Sequence, residues 1–213
     1  MTTIVVVKKG DRAVIGADTL GTYGDQLESA AFIKNSSKLI AVGDSWLAVT
    51  GHAAMDNVLR SVFADAGCRR SFKGVAEIFK TALEMHRLMR EHYFLKTDEE
   101  KDDIFESSQI NVLVANPNGI FGVCSRRSVF EYTKFYAFGS GEQYALGAMN
   151  AVYGVLDDPV EIARLGLTSA VEFDSGSGAP LEIKEIRLKV PGKRQHAGRN
   201  VVSARIKPYT RAP

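Results

Sequence analysis

The chain has 213 residues, of which 45% are hydrophobic and 24% charged, proportions that are ordinary for a globular protein. A chain of this length can bury roughly 70% of the surface that it exposes when unfolded, so a disulfide framework is not needed. The chain has two cysteines, Cys68 and Cys124. This small number indicates a reducing compartment, and we therefore expect a cytoplasmic protein. The apolar run over residues 4–7 is too short to span a membrane, and the start lacks the pattern of a secretory signal. These features argue against secreted, membrane-spanning and disordered classes.

The net charge of +2 is unevenly distributed along the chain. Residues 184–213 contain nine Lys and Arg and one acid, Glu185, which gives +8 there and −6 for the preceding residues. Such a basic tail can bind nucleic acid or an acidic partner, or it can be a solvated extension. No aromatic residue lies among these charges before Tyr209. This favours the solvated extension over a segment that binds nucleic acid. We therefore divide the chain into a domain over residues 1–190 and a basic extension over residues 191–213.

The first part of the chain is predicted to form strands. Residues 2–7 and 12–18 are unbroken apolar segments, typical of strands that are covered on both faces. Residues 19–37 are polar and irregular. Residues 38–42 and 46–49 predict a hairpin around a Gly-Asp-Ser turn.

Two helices are predicted next. Apolar residues recur at helical spacing over residues 55–63 and again over residues 75–89, where His86 lies on the apolar stripe as a core residue. The acidic run over residues 98–103 predicts an exposed loop.

The second half repeats the same order of strands and then a helix pair. Because this order is not the alternating order of a parallel sheet, it predicts an α+β protein with two antiparallel sheets between two helical layers. The predicted strands cover residues 109–115, 120–124, 129–138 (continuing the same sheet) and 181–190, and the predicted helices cover residues 143–154 and 159–171.

Common nucleotide-binding and metal-binding motifs are absent from the sequence. Gly139, Ser140 and Gly141 lie between a predicted strand and helix, but Tyr144 occupies the third glycine position of a dinucleotide fingerprint. The four histidines have no metal-ligand spacing with one another or with the cysteines. We therefore expect no cofactor and no metal.

The most informative feature is a threonine directly after Met1. Removal of Met1 would leave Thr2 with a free amine beside its hydroxyl, and an N-terminal amine can take the proton from a weak nucleophile. Its ordinary pKa of about 7.7 to 8.0 leaves a useful neutral fraction at physiological pH. A Met-Thr start by itself is common, so the prediction depends on the accompanying motifs.

Five short segments, in this order, resemble those of the proteasome-type N-terminal nucleophile hydrolases, and the resemblance spans about residues 2–186. They are residues 2–7 (TTIVVV), 16–18 (GAD), 49–51 (VTG), 138–147 (FGSG followed by YALG) and 174–178 (DSGSG). The resemblance implies a four-layer αββα sandwich, which agrees with the element order, and a threonine-type endopeptidase.

The resemblance also implies roles for individual residues. Thr2 matches the nucleophile, and Asp18 matches a buried aspartate that pairs with a lysine. Counting without gaps gives Lys34 as that lysine, whereas aligning the Gly-Asp turn of the hairpin gives Lys38, which we prefer because it begins a strand. Ser140, Asp174 and Ser177 match the residues that orient the terminal amine. The backbone N–H of Gly51 matches the oxyanion donor.

Within the family, the hairpin turn and the longer region over residues 96–107 resemble the betaproteobacterial proteasome homologue more than the HslV-type peptidase. The resemblance implies self-assembly into a double ring, of two heptameric rings or hexameric rings as in the HslV type. It also implies polypeptide substrates and a possible AAA+ ATPase partner, with no membrane partner. Two alternatives stay open: a catalytically silent proteasome-like ring that acts as a scaffold, and a binder of nucleic acid or an acidic partner through the basic extension.

Overall fold

The computed structural model of the chain describes residues 1–65, 67–97 and 104–189. These residues form strands and helices in the predicted order, with one additional short hairpin. The strands are β1 (Thr3–Lys9), β2 (Arg12–Asp18), β3 (Gly21–Tyr23), β4 (Gln26–Glu28), β5 (Leu39–Val42), β6 (Ser45–Thr50), β7 (Asn111–Asn116), β8 (Gly119–Val123), β9 (Val129–Tyr132), β10 (Phe135–Gly139) and β11 (Leu181–Arg187). The helices are α1 (Ala54–Ala64), α2 (Val75–His92), α3 (Glu142–Tyr153) and α4 (Pro159–Phe173).

The strands form two large antiparallel sheets. One sheet has the order β10-β1-β2-β11 and the other the order β5-β6-β7-β8-β9. In the first sheet β1 is central, with Thr3 opposite Gly139 of β10 and Ile4 opposite Ala17 of β2. This register brings the start of β1 to the ends of β2 and β10.

Three apolar clusters separate four layers. One cluster joins α3 and α4 to the sheet that contains β1, a second fills the space between the two sheets, and a third joins α1 and α2 to the other sheet. The structure therefore confirms the predicted α+β, four-layer αββα sandwich. Representative buried residues of the three clusters, in that order, are Val5, Met149 and Leu167; Ile4, Ile15 and Leu113; and Leu59, Ile78 and Phe121.

The apolar run of β1 is unbroken because both faces of this strand are covered. Ile4 and Val6 lie in the cluster between the sheets, whereas Val5 and Val7 lie in the cluster under α3 and α4. Side chains alternate between the two faces of a strand, so Thr3 shares the face of Val5 and Val7. The β1 sequence thus directs Thr3 toward the layer of α3 and α4.

Two predictions for the strands were wrong in detail. Residues 19–37 were expected to be irregular, but they contain the short hairpin of β3 and β4. Residues 129–138 were expected to continue one sheet, but β9 and β10 belong to different sheets. The chain crosses the sandwich between them, because Phe135–Gly139 pairs with the central strand β1 and not with β9.

Three other predictions concern His86 and the two strongly charged segments of the sequence. His86 is buried, as predicted, and its ring nitrogens lie 2.9 Å from Glu106 Oε2 and from Ser108 Oγ. The acidic run over residues 98–103 and the basic extension over residues 191–213 lie outside the described residues. None of the helices that the structure describes has both the length and the hydrophobicity of a membrane span.

Candidate active site

The carboxylate of Asp18, at the end of β2, is fully buried and fully hydrogen-bonded. Oδ1 accepts from the Thr3 N–H at 2.9 Å and from Lys38 Nζ at 2.8 Å. Oδ2 accepts from the N–H groups of Leu20 at 3.1 Å and Gly178 at 3.0 Å. Because a buried charge needs partners, these four donors explain how Asp18 is accommodated, and they join four segments of the chain.

Lys38 lies directly before β5, and its ammonium group is the cation that Asp18 contacts. Nζ also donates to the carbonyl oxygen of Leu20 at 2.7 Å, and the side chain is 15% exposed. Burial lowers the pKa of Lys38, and the negative charges of Asp18 and Asp174 oppose this shift without cancelling it. Lys34, the other predicted candidate, is exposed.

A second cluster is centred on Asp174, which follows α4. Its Oδ2 accepts hydrogen bonds from the hydroxyls of Ser140 and Ser177, each at 2.7 Å. Burial raises the pKa of Asp174. This effect is outweighed by hydrogen bonds from Ser140, Ser177 and the Gly176 N–H and by the positive N-terminus, so the pKa lies below its ordinary value. Asp174 is therefore ionised at neutral pH.

Thr2 is buried beside this cluster. Its carbonyl oxygen accepts from the Ser140 N–H at 3.0 Å, and its hydroxyl donates to the Met1 carbonyl oxygen at 2.5 Å. The Met1 side chain lies over Gly176, where an added Cβ would overlap it. With Met1 attached, the Thr2 nitrogen is an amide and has no basic lone pair, so it cannot accept a proton.

Gly51 follows β6, on the sheet that faces β1 across the sandwich. Its φ of +149° is a conformation that favours glycine, and a Cβ there would lie 2.9 Å from both Gln109 O and Ile110 Cγ2. The nearest atoms to this Cβ position thus belong to the chain before β7. The hydrogen bonds described above join the other six predicted residues into two clusters, and Gly51 is not a member of either.

Sequence reasoning missed Thr3, which links the two clusters. Its backbone N–H donates to Asp18, and its hydroxyl oxygen lies 2.7 Å from Ser177 Oγ and accepts from the Gly141 N–H at 3.0 Å. Thr3 is completely buried. One sequence feature could have identified it: Thr3 is a polar residue on the face of β1 that packs against the helices and not on the face between the two sheets.

No cluster of three or more His, Cys, Asp or Glu side chains in residues 1–65, 67–97 and 104–189 is arranged to hold a metal ion. The described residues bring together the hydroxyls of Thr2, Ser140 and Ser177, one ammonium group, two carboxylates and several backbone N–H groups.

Comparison with known proteins finds relatives of the chain as a whole. No family model matches the chain. The solved structure of Thiobacillus denitrificans BPH is 43% identical, with a TM-score of 0.83, over 88% of this chain and 99% of the other. Proteasome subunit beta of Nanoarchaeum equitans is 24% identical over 204 residues, covering 89% of this chain and 94% of that protein.

A further structure extends the likeness in fold alone. Eukaryotic HslV from Trypanosoma brucei is 20% identical, with a TM-score of 0.62, over 87% of this chain and 99% of the other. The four-layer αββα sandwich and these similarities place the chain in the class of N-terminal nucleophile folds. This chain belongs to the proteasome-type N-terminal nucleophile hydrolase family.

Proposed function

We propose that the protein is a threonine endopeptidase in which Thr2 is the nucleophile after Met1 has been removed. The main support is that Thr2 is hydrogen-bonded to Ser140, whose hydroxyl binds Asp174, while the next residue along the chain is bonded to the Asp18–Lys38 pair. A relative adds support: Thiobacillus denitrificans BPH, 42% identical over 89% of this chain, has been solved in complex with epoxomicin.

The proposed reaction begins with the free amine of Thr2. The amine takes the hydroxyl proton, directly or through a water molecule, and Oγ1 forms a bond with the carbonyl carbon of the substrate. The protonated amine then gives its proton to the leaving nitrogen as the C–N bond breaks, which leaves an ester on Thr2. Water hydrolyses the ester and restores the hydroxyl, so the net reaction is hydrolysis of one peptide bond.

The neighbouring residues have distinct proposed roles. The charge of Lys38 favours the deprotonated hydroxyl. Asp174, Ser140 and Ser177 hold the terminal amine by hydrogen bonds. The N–H of Gly51 stabilises the negative oxygen of the tetrahedral intermediate, a contribution that is typically about 2.7 to 4 kcal/mol in the transition state.

The assembly forms part of the same proposal. Members of the proteasome and HslV group form oligomeric rings. We propose that this chain assembles with itself into a double ring, of six or seven subunits per ring, that encloses the sites and admits polypeptides in the cytoplasm. An AAA+ ATPase is the proposed supplier of unfolded polypeptide.

A second candidate function is a ring that has the same fold but no activity. It applies if Met1 is not removed, because an acylated Thr2 nitrogen cannot serve as the base. Under this alternative the chain keeps Met1 and acts as a scaffold.

Intact mass and epoxomicin labelling separate the two functions. The peptidase loses Met1, gains the mass of one epoxomicin on the peptide that begins at Thr2, and hydrolyses fluorogenic peptides. Thr2→Ala should abolish labelling and hydrolysis while the ring stays assembled. Thr133→Ala, a change at an exposed threonine, is the matched control. Retention of Met1 in purified, assembled protein without labelling would favour the scaffold.

A further inference from the structure

The hydroxyl of Thr3 lies between the start of β1, the N-terminus of α3 and the connection from α4 to β11. It is completely buried, 2.7 Å from Ser177 Oγ and 3.0 Å from the Gly141 nitrogen. A Cβ at Gly141 would lie 2.5 Å from this hydroxyl oxygen and 2.8 Å from Ala170 Cβ. Any larger residue at position 141 would overlap the Thr3 hydroxyl, so the glycine makes room for this hydroxyl.

The direction of each hydrogen bond follows from the number of protons available. Asp174 is ionised and can only accept, so Ser177 gives its single hydroxyl proton to Asp174 Oδ2. The hydrogen bond between Ser177 and Thr3 must then use the Thr3 proton. The Thr3 oxygen in turn accepts from the Gly141 N–H. The result is one chain of donors that runs from Gly141 through Thr3 and Ser177 to Asp174.

We propose that Thr3 is a positioning residue whose hydroxyl fixes the orientation of Ser177, and through it the carboxylate of Asp174, beside the reacting Thr2. This inference rests on the proposed peptidase function. Thr3 acts through Ser177 and is not itself in contact with the reacting hydroxyl.

The chain of donors has a chemical consequence for the amine of Thr2. Since Thr3 donates to Ser177 and Ser177 donates to Asp174, one lone pair of the Ser177 oxygen stays free as an acceptor, and under the proposal the amine of Thr2 donates to it. Loss of the Thr3 hydroxyl frees Ser177 to rotate and leaves the buried Gly141 N–H without this partner. The amine would then be held less firmly at the distance that proton transfer needs.

The test compares two substitutions of Thr3 in the full-length assembled protein. Thr3→Val keeps the shape of the side chain and removes the hydroxyl, whereas Thr3→Ser keeps the hydroxyl. We expect Thr3→Val to slow the maximal rate of epoxomicin labelling by about tenfold or more, the change that about 1.4 kcal/mol produces, with little effect on epoxomicin affinity. Thr3→Ser should restore most of this rate. Equal labelling rates for the two variants would overturn the proposal.

A second measurement does not depend on activity. The urea midpoints of Thr3→Val and Thr3→Ser are compared in the wild-type background and in Asp174→Ala. If Thr3 acts through Ser177 on Asp174, the difference between the two variants should fall by roughly half in Asp174→Ala, because interacting residues are not additive. An equal difference in both backgrounds would mean a purely local packing role and would overturn the inference.

The two measurements also keep the inference and the proposed function distinguishable. If wild-type protein is not labelled at all, the peptidase proposal fails, and the urea cycle still decides whether Thr3 is coupled to Asp174. If Thr3→Val does not fold, Thr3→Ala replaces it in the same cycle, since it also removes the hydroxyl. A difference between Thr3→Ala and Thr3→Ser that shrinks in Asp174→Ala supports the inference, and an equal difference in both backgrounds overturns it.

Discussion

Replacement of Lys38 by methionine should destabilise the folded chain by about 3 kcal/mol, because it leaves the buried Asp18 carboxylate without a cation. Breaking a buried ion pair by removing one partner typically costs about 3 to 5 kcal/mol. The lower end applies here, since Asp18 keeps hydrogen bonds from the N–H groups of Thr3, Leu20 and Gly178. The side chain of Asp18 is fully buried, so water cannot replace the lost ammonium group without a rearrangement.

Urea unfolding at fixed protein concentration measures this effect, because assembly of subunits adds to the apparent stability. Lys34→Met is the matched control, and since Lys34 is exposed it should change the free energy of unfolding by no more than about 0.5 kcal/mol. Adding Asp18→Asn to Lys38→Met removes the unpaired charge and should recover part of the loss. An equal loss of stability in Lys34→Met and Lys38→Met, or a loss below about 1 kcal/mol in Lys38→Met, would contradict the role of Lys38 as the counter-ion of Asp18.

Four further changes have defined outcomes. Gly51→Ala should lower the free energy of unfolding by about 1 to 3 kcal/mol, measured in urea, and reduce peptide hydrolysis. The reason is that φ is +149° and the added Cβ would lie 2.9 Å from Gln109 O. Gly147→Ala on α3, where a Cβ meets no atom within 4 Å, should instead stabilise by up to about 1 kcal/mol, and the reverse order would contradict this. The lowered pKa of Asp174 means that its ionised form stabilises the fold above the unfolded value of about 3.9 and that this contribution is lost as the pH falls below it. The urea midpoints of wild type and Asp174→Asn should therefore differ at pH 7 and converge in acid, and a constant difference would count against the assignment. Deletion of residues 191–213 should leave binding to DNA weak and little changed, whereas loss of tight, steeply salt-dependent binding would show that the extension binds nucleic acid.

Much of the fold could be predicted because its signals are local. The unbroken apolar run of β1 and the helical stripes of α1 and α2 reflect burial that is periodic along the chain. The separation of β9 from β10 could not be predicted in the same way. Both strands have similar composition, and only pairing with β1, more than 120 positions earlier, assigns β10 to the other sheet.

The candidate site shows the same division. The choice between Lys34 and Lys38 depended on an uncertain loop length, whereas the structure places the Lys38 ammonium 2.8 Å from Asp18. Thr3 was missed because its hydroxyl is defined by Gly141 and Ser177, which are 138 and 174 residues away. A polar residue in an apolar strand is a signal for such a contact, but its partners are set by the tertiary fold.

The proposed mechanism requires that Thr2 carries both the attacking oxygen and the base that activates it. Peptide mapping of epoxomicin-treated protein is the direct measurement. We expect Met1 to be absent and the inhibitor to be attached to the N-terminal peptide at Thr2. An intact Met1 in protein that still hydrolyses peptides, or attachment of the inhibitor at another residue, would contradict it.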